Sequence, residues 1–152
     1  MLGRLYEGED CSAARALELV GERWSLLILR DAMFGGCTRF SEFEHSLDIA
    51  PNILSKRLRG FVDAGIMEAR PSGEYHLTTK GLELKPVIVA LTDWGDKWVG
   101  QGPVVFVHEG CGGRVVQEFR CEACDGMPAA AEVGVIPSGA RPRRRTPSVR
   151  RA

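Results

Sequence analysis

Two helical patterns joined by a very short turn constrain the fold of this 152-residue chain more than any other feature. The first pattern begins near Ser41, a suitable N-cap with Glu44 three residues later. The stretch "DIA" at 48–50 interrupts it, and Pro51 then opens a second pattern. Proline suits the first position of a helix because the N–H that it lacks has no helical partner there. The sequence therefore predicts a helix, a tight turn and a second helix that ends at Gly65.

The second helical pattern, residues 51–62, is amphipathic and has a cationic stripe. At about 100° per residue, one half of this helix is apolar, with Ile53, Leu54, Leu58, Phe61 and Val62. The opposite side lies within about 60° of Asn52 and also contains Ser55, Lys56, Arg59 and Asp63. Arg57 falls at the edge of the apolar half, where its stem is expected to lie along the core.

The residue types of this stripe are chemically suited to nucleic acid. Asn, Ser, Lys and Arg side chains donate hydrogen bonds to phosphate oxygens and to base edges. On the second helix of a helix–turn–helix pair, such side chains face a groove of DNA. The alternative is an ordinary amphipathic surface helix, whose polar side is only solvated.

A short hairpin is predicted after the two helices. Residues 66–70 and 74–78 alternate loosely around a Pro-Ser-Gly turn. Helix, turn, helix and hairpin is the order of a winged helix, in which the hairpin is a second contact element. Arg70, beside the turn, is a candidate for contact with the DNA backbone or minor groove. The predicted fold class is mainly α with a small β wing.

Further helices are predicted on both sides of this segment. Residues 11–34 contain two helical patterns, and a long helix is expected at about 79–99, with Pro86 in its first turn or at a kink. An apolar stripe runs along the long helix: Leu84, Val87, Ile88, Leu91, Trp94 and Trp98. The stripe suits either an interface with a second copy of the chain or a core within one chain.

Three stretches carry a resemblance to a known family. They are "CSAARALELVGERWSLLILRDAMFG" (11–35), "RFSEFEHSLDIAPNILSKRLRGFVDAGIM" (39–67) and "YHLTTKGLELKPVIVALTDWG" (75–95). Over residues 10–100 the chain resembles the HxlR-type transcriptional regulators, a winged-helix family related to the MarR group. The resemblance implies a homodimer that binds double-stranded DNA at a palindromic operator. It also implies dimerisation through the first helix and the long helix after the wing.

The wing departs from the family pattern because it is short. Only about four residues, "RPSG", separate its strands, so most DNA contact is expected from the helix at 51–62. The predicted DNA-binding residues are Arg39, Ser41, Pro51, Asn52, Ser55, Lys56, Arg59, Arg70 and Ser72.

A cluster of metal-ligand residues follows the helical part. His108, Cys111, Cys121 and Cys124 form two close pairs separated by nine residues, the spacing of a zinc ribbon. Four such ligands predict a closed, structural zinc site. Residues 102–127 are then a zinc-ribbon-like β segment, too short to be stable without the metal. The alternatives are a Cys121–Cys124 redox dithiol or unbound thiols.

Cys11 is a redox-sensing candidate. It lies at a helix N-terminus, where the helix dipole favours thiolate. In several members of the resembled family, the equivalent cysteine senses oxidants or electrophiles. The nearby acids Glu7, Glu9 and Asp10 oppose the shift, and a plain structural cysteine is the alternative. Cys37 is assigned no role.

The zero net charge of the chain is a cancellation between two parts. Fourteen cations and twenty acids precede residue 141, a net −6, whereas the last twelve residues carry six Arg and no acid, a net +6. The Ala-, Pro-, Gly-, Ser- and Arg-rich segment 128–152 is predicted to be disordered. No apolar run approaches the roughly 20 residues that span a bilayer, and no secretory signal is visible. A cytoplasmic protein without a membrane partner is expected.

These features favour a DNA-binding regulator over an enzyme. The sequence contains no Ser/His/Asp arrangement, phosphate loop or open metal site that indicates catalysis. We expect a sequence-specific regulator, a repressor, that acts as a homodimer and responds to an oxidant or a ligand. The alternatives are a zinc-stabilised adaptor that binds only protein, or a thiol oxidoreductase. The adaptor would leave the polar stripe of residues 52–59 without a role.

Overall fold

The structure is a computed structural model that describes residues 11–138, and it divides after Val115 into two units. Within the described residues, the first unit contains six α-helices and one two-stranded antiparallel sheet. In chain order these are α1 (Ser12–Val20), α2 (Ser25–Phe34), α3 (Phe40–Leu47), α4 (Pro51–Asp63), β1 (Met67–Ala69), β2 (Tyr75–Leu77), α5 (Thr79–Leu82) and α6 (Lys85–Trp98). The mainly α fold with a small β wing is confirmed.

The core of the first unit fixes the orientation of α4. Phe43 of α3 and Leu54 and Leu58 of α4 are fully buried. They belong to one cluster with buried residues from α2, β1 and α6. Burying a leucine or phenylalanine side chain stabilises the fold by about 1.5–3 kcal/mol. The apolar half of α4 is therefore held inward, and its polar stripe must face outward.

The start of α3 differs from the sequence prediction. The Thr38 and Arg39 N–H groups donate to Glu42 Oε2 at 2.7 and 2.9 Å. These donors hold the pKa of Glu42 below its usual value. The helix therefore begins at Phe40, with Arg39 as its N-cap, rather than at a Ser41 cap. The capping carboxylate is Glu42, because only its side chain reaches back to these two backbone donors.

A buried carboxylate joins α2 to α3. Asp31 is 5% exposed, and its two oxygens have different partners. Arg30 forms an ion pair with Oδ1 at 2.6 Å, and the Ser46 hydroxyl donates to Oδ2 at 2.6 Å. A buried charge is stable only when it is paired and hydrogen-bonded. The Asp31–Ser46 bond therefore helps to set where α3 lies against α2.

The wing is anchored to the start of α3. Met67 pairs with Leu77 and Ala69 with Tyr75, and Gly73 in the turn has φ 82°, which glycine tolerates without strain. The Tyr75 N–H donates to the Thr38 carbonyl at 2.7 Å. These backbone bonds hold β2 beside the beginning of the helix–turn–helix.

The long helix expected at 79–99 is divided in two. α5 ends at Leu82, and α6 starts at Lys85 with Pro86 in its first turn. A proline ring clashes with the carbonyl four residues earlier in a continuous helix. The break therefore lies just before Pro86, which is in the first turn of α6, one of the two positions expected from the sequence.

The segment after α6 has fewer strands than the sequence predicts. Residues 102–115 contain one isolated bridge, between Val107 and Arg114. In the described part of the second unit, residues 116–138, the regular element is a 3₁₀ turn at Ala130–Glu132. Most of residues 102–138 have no regular secondary structure, and tight turns lie at 109–111 and 122–124. Residues 139–152, with the Arg-rich end of the predicted disordered tail, lie outside the described residues. No helix in residues 11–138 is long and apolar enough to cross a membrane.

Candidate nucleic-acid interface

The outward face of α4 carries two cations that have no ion-pair partner in the described part of the chain. Asn52, Lys56 and Arg59 are exposed, and Ser55 is half-buried. Among residues 11–138, neither Lys56 nor Arg59 forms an ion pair. A cation that is not held in an ion pair can neutralise an external anion without first giving up an internal partner. This face is therefore electrostatically suited to phosphate.

The third cation of α4 has a different role. The Arg57 side chain is only 11% exposed, and its Nη2 lies 3.0 Å from Glu22 Oε2. Glu22 belongs to the link between α1 and α2. The predicted position of Arg57 at the edge of the core is confirmed. Glu22 neutralises the charge of Arg57 inside the protein. The exposed face of α4 therefore has two cations available for an external anion, and not three.

Cationic candidates at the start of α3 and on the wing are paired with carboxylates. Arg39 Nη2 lies 3.1 Å from Glu74 Oε1, and Arg70 Nη2 lies 3.1 Å from Glu68 Oε1. The Ser72 hydroxyl donates to Glu74 Oε2 at 3.0 Å. The other predicted contacts, Ser41 and Pro51, are exposed.

Glu74 was not identified as a functional residue from the sequence. Hydrogen bonds from Ser72, His76 and Arg39 hold its pKa below the usual value. Glu74 and His76 are two residues apart, the spacing that puts side chains on the same face of a strand. That spacing was the only sequence signal for the pair, since the approach of Arg39 depends on the fold.

The two cysteines of the helical part have different surroundings. Cys11 is exposed and is the N-cap residue of α1, with extended backbone and φ −129°. Cys37 is half-buried, and burial, followed by the nearby Asp31 and Glu42 carboxylates, raises the pKa of its thiol. A raised pKa lowers the reactive thiolate fraction. The acids Glu7, Glu9 and Asp10 lie outside the described residues.

The first predicted ligand pair lies in a tight turn of the first unit. His108 Nδ1 lies 3.2 Å from Cys111 Sγ. The His108 N–H donates to the Gly113 carbonyl at 2.8 Å, and the Gly112 N–H donates to the His108 carbonyl at 2.7 Å. Gly112 has φ 73°. Two ligands on one tetrahedral zinc are about 3.5 Å apart, so this pair fits half of a zinc site.

The second ligand pair lies in a turn with the same backbone pattern. The Cys121 N–H donates to the Gly126 carbonyl at 2.9 Å, and the Asp125 N–H donates to the Cys121 carbonyl at 2.8 Å. Asp125 has φ 57°, matching Gly112 in the first turn. The Ala123 N–H, then that of Cys124, lowers the pKa of the Cys121 thiol. Across the described residues, no group of three or more His, Cys, Asp or Glu side chains is gathered for a metal.

Within residues 11–138, one apolar face of α6 is exposed. Ile88 and Val89 are buried, whereas Trp94 and Trp98 are 58% and 66% exposed. Val87 and Leu91 are also exposed, as are Leu17 and Leu19 of α1. Large exposed apolar patches on a folded domain mark surfaces that contact another molecule.

Comparison with known proteins gives a consistent result. Residues 19–103 match the model of the HxlR-like helix-turn-helix family. The chain is 40% identical over 132 residues to the uncharacterized HTH-type transcriptional regulator Rv3095 of Mycobacterium tuberculosis, covering 81% of this chain and 82% of Rv3095. It is 39% identical to the solved structure of PA1607, a candidate transcription factor, with a TM-score of 0.76 over 86% of this chain and 96% of PA1607.

A more distant likeness is to YodB from Bacillus subtilis, solved with a bound quinone. It is 30% identical, with a TM-score of 0.52, and covers 58% of this chain and 99% of YodB.

The fold and the exposed face of α4 define a winged helix-turn-helix protein of the kind that binds DNA. The chain belongs to the HxlR-like helix-turn-helix family. It is a transcriptional regulator and not an enzyme.

Proposed function

We propose that this regulator is a cytoplasmic repressor that binds a palindromic operator as a homodimer, with α4 of each protomer in the major groove. The observation that carries the proposal is the outward face of α4, where Lys56 and Arg59 have no carboxylate partner among the described residues. A recognition helix places its N-terminal residues against base edges. Asn52 and Ser55 occupy that part of α4.

The DNA contacts divide into two groups. Asn52, Ser55 and Arg59 are the candidates for base edges, because their donors can form specific hydrogen bonds in the major groove. The remaining candidates position the protein on the backbone: Arg39, Ser41, Pro51, Lys56, Arg70 and Ser72. The short wing makes backbone contact and contributes little sequence information.

The exposed apolar face of α6, together with Leu17 and Leu19 of α1, supports the homodimer. Two-fold symmetry is the commonest arrangement of soluble oligomers. It also matches a palindrome, whose half-sites lie about 34–36 Å apart along the DNA. A dimer therefore doubles the few contacts that one α4 can make.

The proposal predicts two chains on one operator. Light scattering of the free protein is expected to give the mass of a dimer. Footprinting on DNA from upstream of the protein's own gene should show two protected half-sites about ten base pairs apart. A scrambled duplex of equal length is the control. Equal affinity for both duplexes, or a protein that stays monomeric when bound, would contradict the proposal.

Cys11 is the proposed site of the response to oxidants or electrophiles. It is exposed at the start of α1, and YodB, a structural neighbour, is solved with bound quinone. Cys37 is a poorer candidate because its raised pKa keeps it protonated.

Treatment with diamide is therefore expected to change operator affinity in the wild type by about tenfold, a typical size for coupling between two sites. Diamide is added together with glutathione, so that the Cys11 thiol and the glutathione thiol form a mixed disulfide while diamide is reduced to the hydrazine; Cys11→Ser should abolish the change, since it removes the sulfur that forms this bond. Cys37→Ser is the matched control and should respond like the wild type. The measurement is fluorescence anisotropy on labelled operator. The same response in all three proteins would exclude Cys11.

We also propose one structural zinc per chain, with His108, Cys111, Cys121 and Cys124 as ligands. Two turns with the same hydrogen-bond pattern support it, each offering a pair of N or S ligands. Zinc would supply the stability that a segment without its own core lacks. Four protein ligands would fill a tetrahedral zinc and leave no position open for substrate, so the site would be structural.

A further inference from the structure

Three donors from two elements converge on the carboxylate of Glu74. Arg39 Nη2 lies 3.1 Å from Oε1, while the Ser72 hydroxyl donates to Oε2 at 3.0 Å. His76 Nε2 lies 3.4 Å from Oε2. Arg39 is the N-cap of α3, and the other two residues belong to the wing. One anionic group thus joins the helix–turn–helix to the hairpin.

These donors are of the kind that binds phosphate. Guanidinium groups pair with carboxylates and phosphates in the same geometry, and serine hydroxyls are frequent donors to DNA phosphates. The positive end of the α3 dipole adds to the attraction for an anion. The Arg39 side chain is 57% exposed, against 26% for Glu74. An external anion can therefore reach Arg39.

Glu74 is not needed to hold the wing in place. The Tyr75 N–H donates to the Thr38 carbonyl at 2.7 Å, and residues 39 and 74 also form a backbone bridge. These bonds do not involve the carboxylate. The charge of Glu74 can therefore be removed while the wing stays anchored to α3.

We propose that Arg39, Ser72 and His76 form a binding site for one DNA backbone phosphate, and that Glu74 occupies this site in the free protein. The inference rests on the proposed DNA-binding function. On binding, the phosphodiester replaces the carboxylate as the partner of Arg39. Glu74 then acts as an internal competitor that weakens DNA binding.

Glu74→Gln is expected to raise affinity for operator about three- to tenfold at roughly 0.1 M salt, since one more phosphate is neutralised. The slope of log affinity against log salt should steepen by about 0.9 per protomer, or about 1.8 for the proposed dimer. In an Arg39→Ala background the same substitution should give no gain. Glu68→Gln is the matched control: it makes the same charge change on the wing beside Arg70, and its effect should not depend on Arg39.

A second variant tests the site without relying on Arg39. Ser72→Ala should lower operator affinity more in the Glu74→Gln protein than in the wild type, because in the wild type the hydroxyl gives up its bond to Glu74 when it takes the phosphate. Melting temperatures of all variants establish that they are folded.

Three results would overturn the inference. A Glu74→Gln gain that survives Arg39→Ala would mean only a general electrostatic effect. If Glu74→Gln leaves the affinity unchanged, no phosphate enters the site. If Glu74→Gln lowers the affinity, the Glu74 carboxylate is needed to hold the wing in its DNA-binding position. Failure of the wild type to bind any duplex would instead contradict the proposed function itself, and this site with it.

Discussion

Replacing Lys56 and Arg59 together with glutamate is expected to abolish operator binding, with affinity falling about a hundredfold or more at physiological salt. Both side chains are exposed on α4, and neither has an ion-pair partner among residues 11–138. Charge reversal removes two attractions per protomer and places two acids against the phosphates. The measurement is anisotropy titration across a range of salt concentrations.

The control for this variant carries the same charge change elsewhere. Arg23 and Arg114 are exposed and lie outside α4, so their double replacement by glutamate should cause a much smaller loss. If the Lys56/Arg59 variant still binds operator with the same salt dependence as the wild type, α4 does not face DNA.

The second large effect is expected at the two cysteine turns. Metal analysis of purified protein should find about one zinc per chain. Cys124→Ser should reduce that content severely, because a closed site needs all four ligands. Structural zinc supplies about 10–16 kcal/mol of apparent binding free energy in small peptides. Chelation is therefore expected to expose the segment 106–127 to proteolysis while the helical circular dichroism of the first unit remains.

Cys37→Ser is the matched control, since this cysteine lies outside the two turns and should leave the zinc content unchanged. Zinc near zero in the wild type, prepared without chelator, would rule out the metal site. In that case the redox dithiol would be the remaining interpretation of Cys121 and Cys124.

The helix–turn–helix could be predicted from the sequence because local signals define it. The period of the apolar residues places α4, and Pro51 and Gly65 mark its ends. Helical angles also separated Arg57 from Lys56 and Arg59, which the Arg57–Glu22 ion pair bears out. Such features depend on residues a few positions apart, so the local sequence is enough to predict them.

The parts that could not be predicted depend on contacts between distant residues. The ion pair between Arg39 and Glu74 spans 35 positions and requires the register of β2 beside α3. The start of α3 was misplaced because two overlapping patterns, Ser41 with Glu44 and Arg39 with Glu42, are both compatible with a capped helix. Only the backbone path, which points two N–H groups at Glu42, decides between them.

The ion pair of Arg57 with Glu22 also joins α4 to the link that follows α1. Glu22 follows α1, a nine-residue helix about 14 Å long, and Cys11 precedes the same helix. This helix therefore has the candidate redox cysteine at its start and, two residues after its end, a carboxylate that pairs with the proposed recognition helix. Because Val20 of α1 also belongs to the buried core that α4 shares, a tilt of α1 caused by chemistry at Cys11 would disturb both this ion pair and the packing behind α4.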